Sequence, residues 1–457
     1  MQEFKLRQYQ EHAVREMIRQ PFRYLAYEMG LGKTLMVLEY LFRTKQKAFI
    51  VAPLLVAQRV WPQETKKFGY PFKVAVLHGA GKEDMFRLPD IDLKVINYDG
   101  LKWLEEQIEK RGSHDLSQRV LILDEATCIK SGSTQRFKIL QRAQHLFRKG
   151  VFCLSGTPMP KGYEDLWSQY WMLDRGRALE PTNSKFIKKY FWQSGPPRYQ
   201  TYLQPGSAET IQQLIKPLTS IMRAGDYIEM PEFTHTTWRV RLPEKVYDEY
   251  AELAEEALTS DGEVSPTAGV VTNKLRQLTQ GALYHEVGDH LYEIKHIEKI
   301  TALLEILDLA DGAPILCPIY FRFEADMIQK ALAKKYGTIP LIAGGMTQVE
   351  KQKILDQWDK RTIPLLLVQP SSLTHGVNMQ YGGNWIVWYG LPWSLEQYQQ
   401  LNGRLIRPGQ KEPVKIIHIM ALGTKDHRVF EKLEQKDITQ EQFMEAMNDR
   451  EEFKESI

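Results

Sequence analysis

The chain has few cysteines and no long apolar segment. Its three cysteines, Cys128, Cys153 and Cys317, are too widely spaced for a disulfide framework or a closed cysteine zinc site. Apolar runs such as that at residues 363–368 are far shorter than the ~18 residues that a membrane-spanning helix needs. The first residues also lack the apolar core of a secretory signal. We therefore expect a soluble protein of an intracellular, cytoplasmic compartment.

Neither sign of charge dominates the sequence. Sixty Lys and Arg against 57 Asp and Glu leave a net charge of +3, which by itself does not indicate a nucleic-acid partner. Residues 130–149 carry six basic side chains and no acidic one, which fits either a phosphate-facing surface or an ordinary solvated helix face. Residues 431–457 are rich in Glu, with apolar residues spaced through them, and are expected to form a docked helix.

The length and the apolar pattern indicate two domains. A chain of 457 residues exceeds the ~250–300 residues at which one hydrophobic core stops growing. Short apolar runs alternate with helical patterns in two parts of the chain, as in parallel sheets whose strands are buried on both faces. The predicted strands of the first part are 23–27, 47–52, 94–97, 120–124 and 150–154, and those of the second are 314–317, 339–342, 364–368, 384–388 and 414–418.

We therefore predict an α/β fold with two parallel-sheet domains in tandem and small helical insertions. The predicted segments are a first α/β domain (1–162), a helical insertion (163–228), a linker and helical region (229–298), a second α/β domain (299–430) and a C-terminal helix (431–457).

The segment Glu28–Thr34 reads EMGLGKT and lies between a predicted strand and a predicted helix. Glycines at this place let backbone N–H groups turn towards phosphate oxygens at a helix N-terminus. Lys33 would reach the β- and γ-phosphates, and the Thr34 hydroxyl would bind Mg²⁺. The full phosphate-loop pattern is not met, because Tyr27 stands where its first glycine would be. A glycine-rich turn with a chance Lys-Thr pair is the alternative.

The apolar run ending in Asp124-Glu125 predicts two carboxylates at the C-terminal edge of a parallel sheet, where ligands bind. Asp124 would hold Mg²⁺, and Glu125 would polarise an attacking water. An acidic strand end without chemistry is the alternative.

Two further motifs follow along the chain. Ser155-Gly-Thr-Pro158 ends another predicted strand and suits either coupling of a nucleotide site to a neighbouring domain or a plain turn. Arg404 and Arg407, three residues apart, are expected on one helical face. Two arginines from a second domain could stabilise charge on a transferring phosphoryl group, or they could be ordinary surface residues.

In this order, the four motifs resemble those of helicase superfamily two, and within it the Swi/Snf-like group of double-stranded DNA translocases. The resemblance covers nearly the whole chain and includes Leu6–Gln10, Val51–Leu54 with Trp61 after it, and Asn97-Tyr98. It ends in Arg404-Leu-Ile-Arg-Pro-Gly-Gln410, a specific signature of the group.

The resemblance implies two RecA-like domains that grip ATP·Mg²⁺ between them, double-stranded DNA as the partner and a monomeric motor similar to stand-alone versions in bacteria and phages. Single-stranded DNA or RNA is a further partner to consider. The implied catalytic residues are Lys33, Asp124, Glu125, Arg404 and Arg407. The implied ATP contacts are Gln10, Met29, Gly30, Leu31, Gly32, Lys33, Thr34, Leu35, Gly376 and Asn378, with Thr34 and Asp124 at Mg²⁺. The implied DNA contacts are Pro53, Leu54, Asn97, Tyr98, Gly345, Thr347, Thr374 and His375.

Two departures from the family pattern concern coupling and DNA contact. Thr127 stands where the family usually has a His that couples ATP to DNA. The stretch at 371–378 is one residue shorter than the usual glycine-rich version in the family.

Other functions fit the same motifs. A strand-separating DNA or RNA helicase has the same ATP-site residues. A DNA-binding scaffold that has lost ATP hydrolysis is an alternative from a different functional class. A small-molecule kinase is the remotest option. We predict translocation along duplex DNA with displacement or remodelling of nucleoprotein.

Overall fold

A computed structural model describes residues 5–112, 116–194, 200–255, 268–285, 291–373 and 378–447. The chain divides into two units, which we call unit 1 (Met1–Glu229 with Lys436–Ile457) and unit 2 (Met230–Gln435). Each unit contains a large parallel sheet with helices. No helix of the described residues is apolar enough over a sufficient length to cross a membrane.

Unit 1 has a seven-stranded sheet in the order β3-β4-β2-β5-β6-β1-β9, and every strand pair in it is parallel. A separate two-stranded antiparallel sheet pairs β7 with β8. The strands of unit 1 are β1 Phe22–Tyr27, β2 Lys47–Ala52, β3 Val74–Val76, β4 Leu93–Asn97, β5 Arg119–Asp124, β6 Val151–Ser155, β7 Phe191–Ser194, β8 Gln200–Leu203 and β9 Thr219–Met222.

The helices of unit 1 connect and cover these strands. They are α1 Gln8–Arg19, α2 Lys33–Thr44, α3 Trp61–Lys67, α4 Lys82–Arg87, α5 Leu101–Arg111, α6 Gln135–Ala143, α7 Leu166–Asp174, α8 Asn183–Tyr190, α9 Ser207–Ile215 and α10 Ala224–Tyr227. Glycines in the left-handed conformation precede α2 and α9, where Gly32 and Gly206 occupy the N-cap position.

Unit 2 has a six-stranded sheet in the order β10-β17-β16-β13-β15-β14, again with parallel pairs throughout. Its strands, including a small antiparallel pair of β11 with β12, are β10 Phe233–Val240, β11 Ala282–Tyr284, β12 Tyr292–Ile294, β13 Ile315–Pro318, β14 Leu341–Ile342, β15 Leu365–Val368, β16 Trp385–Trp388 and β17 Val414–Ala421. Its helices are α11 Glu244–Glu255, α12 Ala268–Gln280, α13 Glu298–Leu309, α14 Arg322–Tyr336, α15 Gln348–Asp359, α16 Leu395–Asn402 and α17 Lys425–Ala446.

Successive side chains of β15 lie in two different hydrophobic cores of unit 2. Leu365 and Leu367 face one hydrophobic cluster, whereas Leu366 and Val368 face another. Because successive side chains of a strand point to opposite faces, a strand that is apolar at every position must be covered on both sides. The continuous apolar runs in the sequence therefore predict these central strands well.

Two expectations about the segments between residues 163 and 298 need correction. The predicted helical insertion, 163–228, also supplies strands, and its β9 pairs with β1 in the main sheet. The predicted linker, 229–298, contributes β10, which pairs in parallel with β17 over eight residues. Both strands lie at sheet edges and lack a continuous apolar run, so the apolar pattern gives little sign of them.

The last helix, α17, begins at Lys425, earlier than the predicted 431. Its residues up to Gln435 belong to unit 2, where Leu433 is buried, and the remainder belongs to unit 1. There Phe443 lies in the hydrophobic core of the unit, with its ring 5.9 Å from that of Tyr163. Residues 448–457 of the predicted C-terminal helix lie outside the described residues.

Candidate nucleotide site

The glycine-rich segment forms the turn between β1 and α2, as its sequence predicts. Gly30 and Gly32 have φ values of 88° and 84°, in the left-handed region that favours glycine. Lys33 opens α2, and its Nζ donates hydrogen bonds to the carbonyl oxygens of Tyr27 at 2.6 Å and Glu28 at 3.3 Å. The ammonium group is thus held over the turn, at a helix N-terminus where backbone N–H groups favour an anion.

The residues around this turn differ in their exposure. Leu31 and Leu35 are buried, which fixes the turn to the core of unit 1. Met29 and Thr34 are half-buried, and Gly30 is exposed. The backbone of the turn is therefore accessible while its apolar side chains anchor it.

Gln10 contacts the same turn from α1. Its Nε2 donates to the Leu31 carbonyl oxygen at 3.1 Å, and its Oε1 accepts a hydrogen bond from the backbone N–H of Arg7 at 3.0 Å. A Cβ added at Gly32 would lie only 2.8 Å from this Nε2. Tyr9 reinforces the contact, because its hydroxyl also donates to the Leu31 carbonyl at 3.2 Å. In this structure the implied adenine-binding glutamine holds the loop.

The acidic pair lies at the C-terminal end of β5, where sequence analysis places it. Asp124 is 8% exposed, and its Oδ2 accepts a hydrogen bond from the indole Nε1 of Trp61 at 3.0 Å. Burial raises the pKa of Asp124, whereas the positive charge of Lys33 acts in the opposite direction. The loop lysine is therefore close enough to act electrostatically on this carboxylate.

Glu125 has φ 54° and ψ 62°, a left-handed conformation that is uncommon for a residue with a side chain. The chain turns here from β5 into a short 3₁₀ helix, Ala126–Ile129. Strained backbone of this kind is concentrated at functional sites. Thr127, in the position where the family usually has His, is buried within this 3₁₀ turn.

Tyr98 and Trp61, which belong to two segments of the family resemblance, have buried side chains that contact Asp124. Tyr98 is buried, and its hydroxyl donates to the carbonyl oxygen of Asp124 at 2.9 Å. Trp61 is fully buried and holds the Asp124 carboxylate, as described above. These side chains support the acidic turn from within the core. Asn97 is also buried. The implied contact of Asn97 and Tyr98 with DNA stays a prediction.

The segment Ser155–Pro158 packs beside the phosphate turn. Ser155 ends β6 and pairs with Ala26 of β1. A Cβ added at Gly156 would lie 3.5 Å from the Tyr27 carbonyl oxygen and 3.6 Å from the Met29 nitrogen. The hydroxyl of Ser155 accepts a hydrogen bond from the backbone N–H of Thr157 at 3.0 Å. Unit 1 thus brings together three motifs that are separated by about 30 to 90 residues in the sequence.

In unit 2, Arg404 and Arg407 do not lie on a helix. The helix α16 ends at Asn402, and the chain continues in turns in which the Arg407 N–H donates to the Leu405 carbonyl. Gly403 at the C-cap and Pro408 after Arg407 both disfavour continuation of the helix. The expectation of one helical face is therefore wrong, although the two arginines remain close in the chain.

Both arginines are held in place within unit 2. Arg404 is buried, and burial lowers the pKa of Arg407. A guanidinium nitrogen of Arg407 donates to the Oδ1 of Asn378, which is a residue implied at the nucleotide. The turn itself is fastened by Gln410, whose Nε2 donates to the carbonyl oxygens of Gln380 and Gly383 at 2.9 and 2.8 Å. Arg407 and Asn378 thus form one polar group.

The remaining implied DNA contacts are partly described. Leu54 is 39% exposed and Pro53 is half-buried, just before a π-helical turn, Val56–Val60. Gly345 is exposed with φ 84°, and Thr347 caps α15 through reciprocal hydrogen bonds with Glu350. Thr374, His375 and Gly376 lie outside the described residues.

Sequence reasoning missed the supports of the site. Glu28 accepts a hydrogen bond through Oε2 from the Ala224 N–H at 2.7 Å, and burial raises its pKa. The contacts of Trp61 and Tyr98 with Asp124 were also missed. A buried indole or phenol needs a polar partner, but the sequence does not say which one.

The chain is similar to known proteins over nearly its whole length. The family model described as SNF2-related domain matches residues 9–222, and the model described as helicase conserved C-terminal domain matches residues 298–409. Putative protein p41 of Acyrthosiphon pisum secondary endosymbiont phage 1 is 30% identical over 450 residues, which cover 92% of this chain and 93% of that protein.

More distant relatives are longer than this chain. The putative ATP-dependent helicase/translocase YwqA of Bacillus subtilis is 23% identical over 448 residues, 93% of this chain but 46% of that protein. Human DNA excision repair protein ERCC-6 is 22% identical over 485 residues, 93% of this chain and 31% of that protein. The chain therefore spans less than half the length of these two relatives.

A solved structure described as the Sulfolobus solfataricus SWI2/SNF2 ATPase core in complex with dsDNA is 20% identical, with a TM-score of 0.44 over 97% of this chain and 95% of that one. The family models and the phage relative carry the assignment. This chain belongs to the SNF2 family of helicase-like, nucleic-acid-dependent ATPases.

Proposed function

We propose that the chain is an ATP-dependent translocase for double-stranded DNA, which hydrolyses ATP to move along a duplex and displace or remodel bound nucleoprotein. The observation that carries the proposal is the placement of Lys33 close to Asp124 at the C-terminal edge of the unit 1 sheet. This is where a parallel sheet binds ligands. Family membership supplies the class of reaction.

In the proposed reaction, the turn Met29–Gly32 surrounds the phosphates of ATP with backbone N–H groups. Lys33 then exchanges its bonds to the carbonyls of Tyr27 and Glu28 for bonds to the β- and γ-phosphates. Gln10 holds the turn by its contact with Leu31, and contact with adenine is proposed for it.

The donor set of the site fits Mg²⁺. Thr34 offers a hydroxyl and Asp124 a carboxylate, and oxygen donors of this kind are what Mg²⁺ binds together with substrate phosphates. When bound, the ion would neutralise charge between the phosphates. The indole of Trp61 orients the Asp124 carboxylate through one of its two oxygens.

Glu125 is the proposed group that polarises the attacking water. The left-handed backbone of Glu125 ends the extended conformation of β5. The hydroxyl of Tyr98 donates a hydrogen bond to the Glu125 carbonyl oxygen at 3.3 Å. Arg404 and Arg407 of unit 2 are proposed to stabilise charge on the transferring phosphoryl group, with Asn378 in contact with Arg407.

DNA is proposed to be held chiefly through its phosphates and therefore with little sequence preference. Among the implied contacts that the structure describes, Leu54, Gly345 and Thr347 are exposed. The proposed motor acts as a monomer.

The experiment that tests the proposal is steady-state ATP hydrolysis with no nucleic acid, with blunt duplex DNA, with single-stranded DNA and with RNA. Lys33→Ala should abolish hydrolysis, and Lys102→Ala, which removes an exposed lysine of the same unit, should not. Arg407→Ala should lower kcat by about 10³-fold or more. Arg241→Ala, at an exposed position of unit 2, is its matched control.

Stimulation by duplex DNA above that by single strands or RNA supports the translocase. Stronger stimulation by single strands or RNA, together with strand separation in a matched unwinding assay, would show that the protein is a helicase and would refute the proposed translocase. Absence of hydrolysis under all four conditions would overturn the proposed activity.

A further inference from the structure

The insertion of unit 1 contains a small β-hairpin, whose strands contribute no residue to the candidate nucleotide site. The strands β7 and β8 pair antiparallel, with Phe191 opposite Leu203 and Trp192 opposite Tyr202. Because side chains alternate along a strand, these two pairs face opposite sides of the hairpin. The helix α8 leads directly into β7.

One side of the hairpin is anchored in the core of unit 1. Phe191 is buried, and its ring lies 5.4 Å from that of Phe186 on α8. Leu203 packs against the same core, and the side chain of Gln204 donates to the Phe191 carbonyl at 3.1 Å. An isolated two-stranded hairpin is marginally stable, so this anchoring fixes the position of the opposite side.

The opposite side exposes two aromatic rings. Trp192 is 58% exposed and Tyr202 is 52% exposed. Directly opposed residues of an antiparallel pair have Cβ atoms about 5 Å apart, so the two rings form one adjacent pair. Of the other aromatic residues of this insertion, Trp167, Tyr170 and Tyr190 are buried and Trp171 is half-buried. The exposed pair is therefore a distinct surface feature.

The helix that leads into β7 carries an excess of positive charge. Residues 183–193 contain three lysines and no acidic residue. Lys189 forms an ion pair with Glu180 at 2.6 Å. Lys185 and Lys188 are exposed and have no ion-pair partner among the residues that the structure describes. Exposed aromatic rings with exposed lysines a few residues away in the sequence suit an anionic partner that also has flat apolar faces.

We propose that Trp192 and Tyr202 form a stacking platform for unpaired nucleobases, with Lys185 and Lys188 binding the phosphates of the same strand. Aromatic residues on a sheet face stack on the bases of single strands, whose faces are free, whereas bases inside a duplex are stacked on one another. The hairpin would thereby direct the ATPase to DNA that has an unpaired strand next to a duplex.

This inference goes beyond the proposed function, which concerns movement along a duplex. The two can fail independently, because duplex-stimulated hydrolysis tests the motor and single-strand affinity tests the hairpin. We call the four side chains Lys185, Lys188, Trp192 and Tyr202 the hairpin platform.

The test is fluorescence anisotropy of the full chain with labelled oligothymidine of about 20 nucleotides and, separately, with a blunt duplex. Trp192→Ala and Tyr202→Ala should each weaken binding of oligothymidine by about 5- to 100-fold and leave binding of the duplex within about twofold. Trp192→Phe keeps a ring and should retain most of the affinity. Replacing both lysines with alanine should reduce the slope of log K against log salt by roughly 1.4 on the single strand.

Phe42→Ala is the matched control, because Phe42 is 48% exposed on α2 of the same unit. Thermal unfolding of every variant checks that the fold is retained. The inference is overturned if the wild type does not bind oligothymidine, or if the alanine variants bind it as the wild type does. It is also overturned if single-strand and duplex affinities fall equally, which would point to a general charge surface, or if Phe42→Ala has the same effect.

Discussion

The buried ion pair of unit 2 gives the sharpest prediction about stability. Lys299, on α13, is 1% exposed, and its Nζ donates to Asp426 Oδ2 at 2.6 Å, to Gln280 Oε1 at 3.1 Å and to the Tyr389 carbonyl at 3.2 Å. Asp426 also accepts hydrogen bonds from the Ala421 N–H and the Thr279 hydroxyl. The pair thus joins α12, α13, α17 and the ends of β16 and β17.

Lys299→Met keeps the apolar part of the side chain and removes its charge. The Asp426 carboxylate is then left buried without its cation, which costs about 3–5 kcal/mol. This is a large fraction of the ~5–15 kcal/mol by which a domain is usually stable. Protection of core amides against hydrogen exchange should fall by the corresponding factor, roughly 150- to 5,000-fold.

Hydrogen exchange of the full chain, read by mass spectrometry, measures the two units separately. Peptides from β16 and β17 should lose protection, whereas peptides from β1 and β5 of unit 1 serve as an internal reference. Lys335→Met is the matched control, because Lys335 pairs with Asp308 on the exposed surface of unit 2 and should have little effect. Lys299→Met combined with Asp426→Leu should recover much of the protection, because neither charge of this pair is then left buried without the other.

An effect of Lys299→Met no larger than that of Lys335→Met would refute this reasoning. So would a double variant as unstable as the single one, since it would show that the loss does not come from an uncompensated charge.

Two further predictions concern the phosphate turn and a buried histidine. Gly32→Ala should weaken binding of a fluorescent ATP analogue, because alanine is strained at φ 84° and its Cβ, 2.8 Å from Gln10 Nε2, would displace the side chain that holds the turn. Gly69→Ala is the control, because Gly69 also has a positive φ, 69°, but open space around it, and this variant should bind the analogue normally. Burial lowers the pKa of His296 to about 4, so the free energy of unfolding of unit 2 should fall as pH drops from about 6.5 towards 4. His296→Gln should reduce this fall by up to about 3 kcal/mol in urea titrations, and an unchanged pH dependence would contradict the assignment.

Much of the nucleotide site can be predicted from the sequence because its parts are local. The order strand, glycine-rich turn, helix is encoded within residues 22–44, and the predicted strand 47–52 has the bounds observed for β2. The central strands are apolar at successive positions, so a buried parallel sheet follows from the pattern. The carboxyl ends of its strands then bring the phosphate turn and the acidic pair to one edge.

The sequence does not show which distant residues contact the same functional group. Trp61 and Tyr98 both hold Asp124, although 63 and 26 residues separate them from it. Arg404 and Arg407 are spaced as on one face of a helix, but the chain after Asn402 forms turns and not a helix. Nor does the aromatic-rich insertion reveal which of its rings, Trp167 or Trp192, is exposed.

The sequence by itself therefore determined the two parallel sheets, the phosphate turn and the acidic pair, since each depends on residues that are neighbours in the chain. Only the tertiary structure decided what supports Asp124, how the arginine segment turns and which face of the hairpin meets solvent. Those features depend on contacts between distant segments, and burial and hydrogen-bond partners arise only when the segments pack.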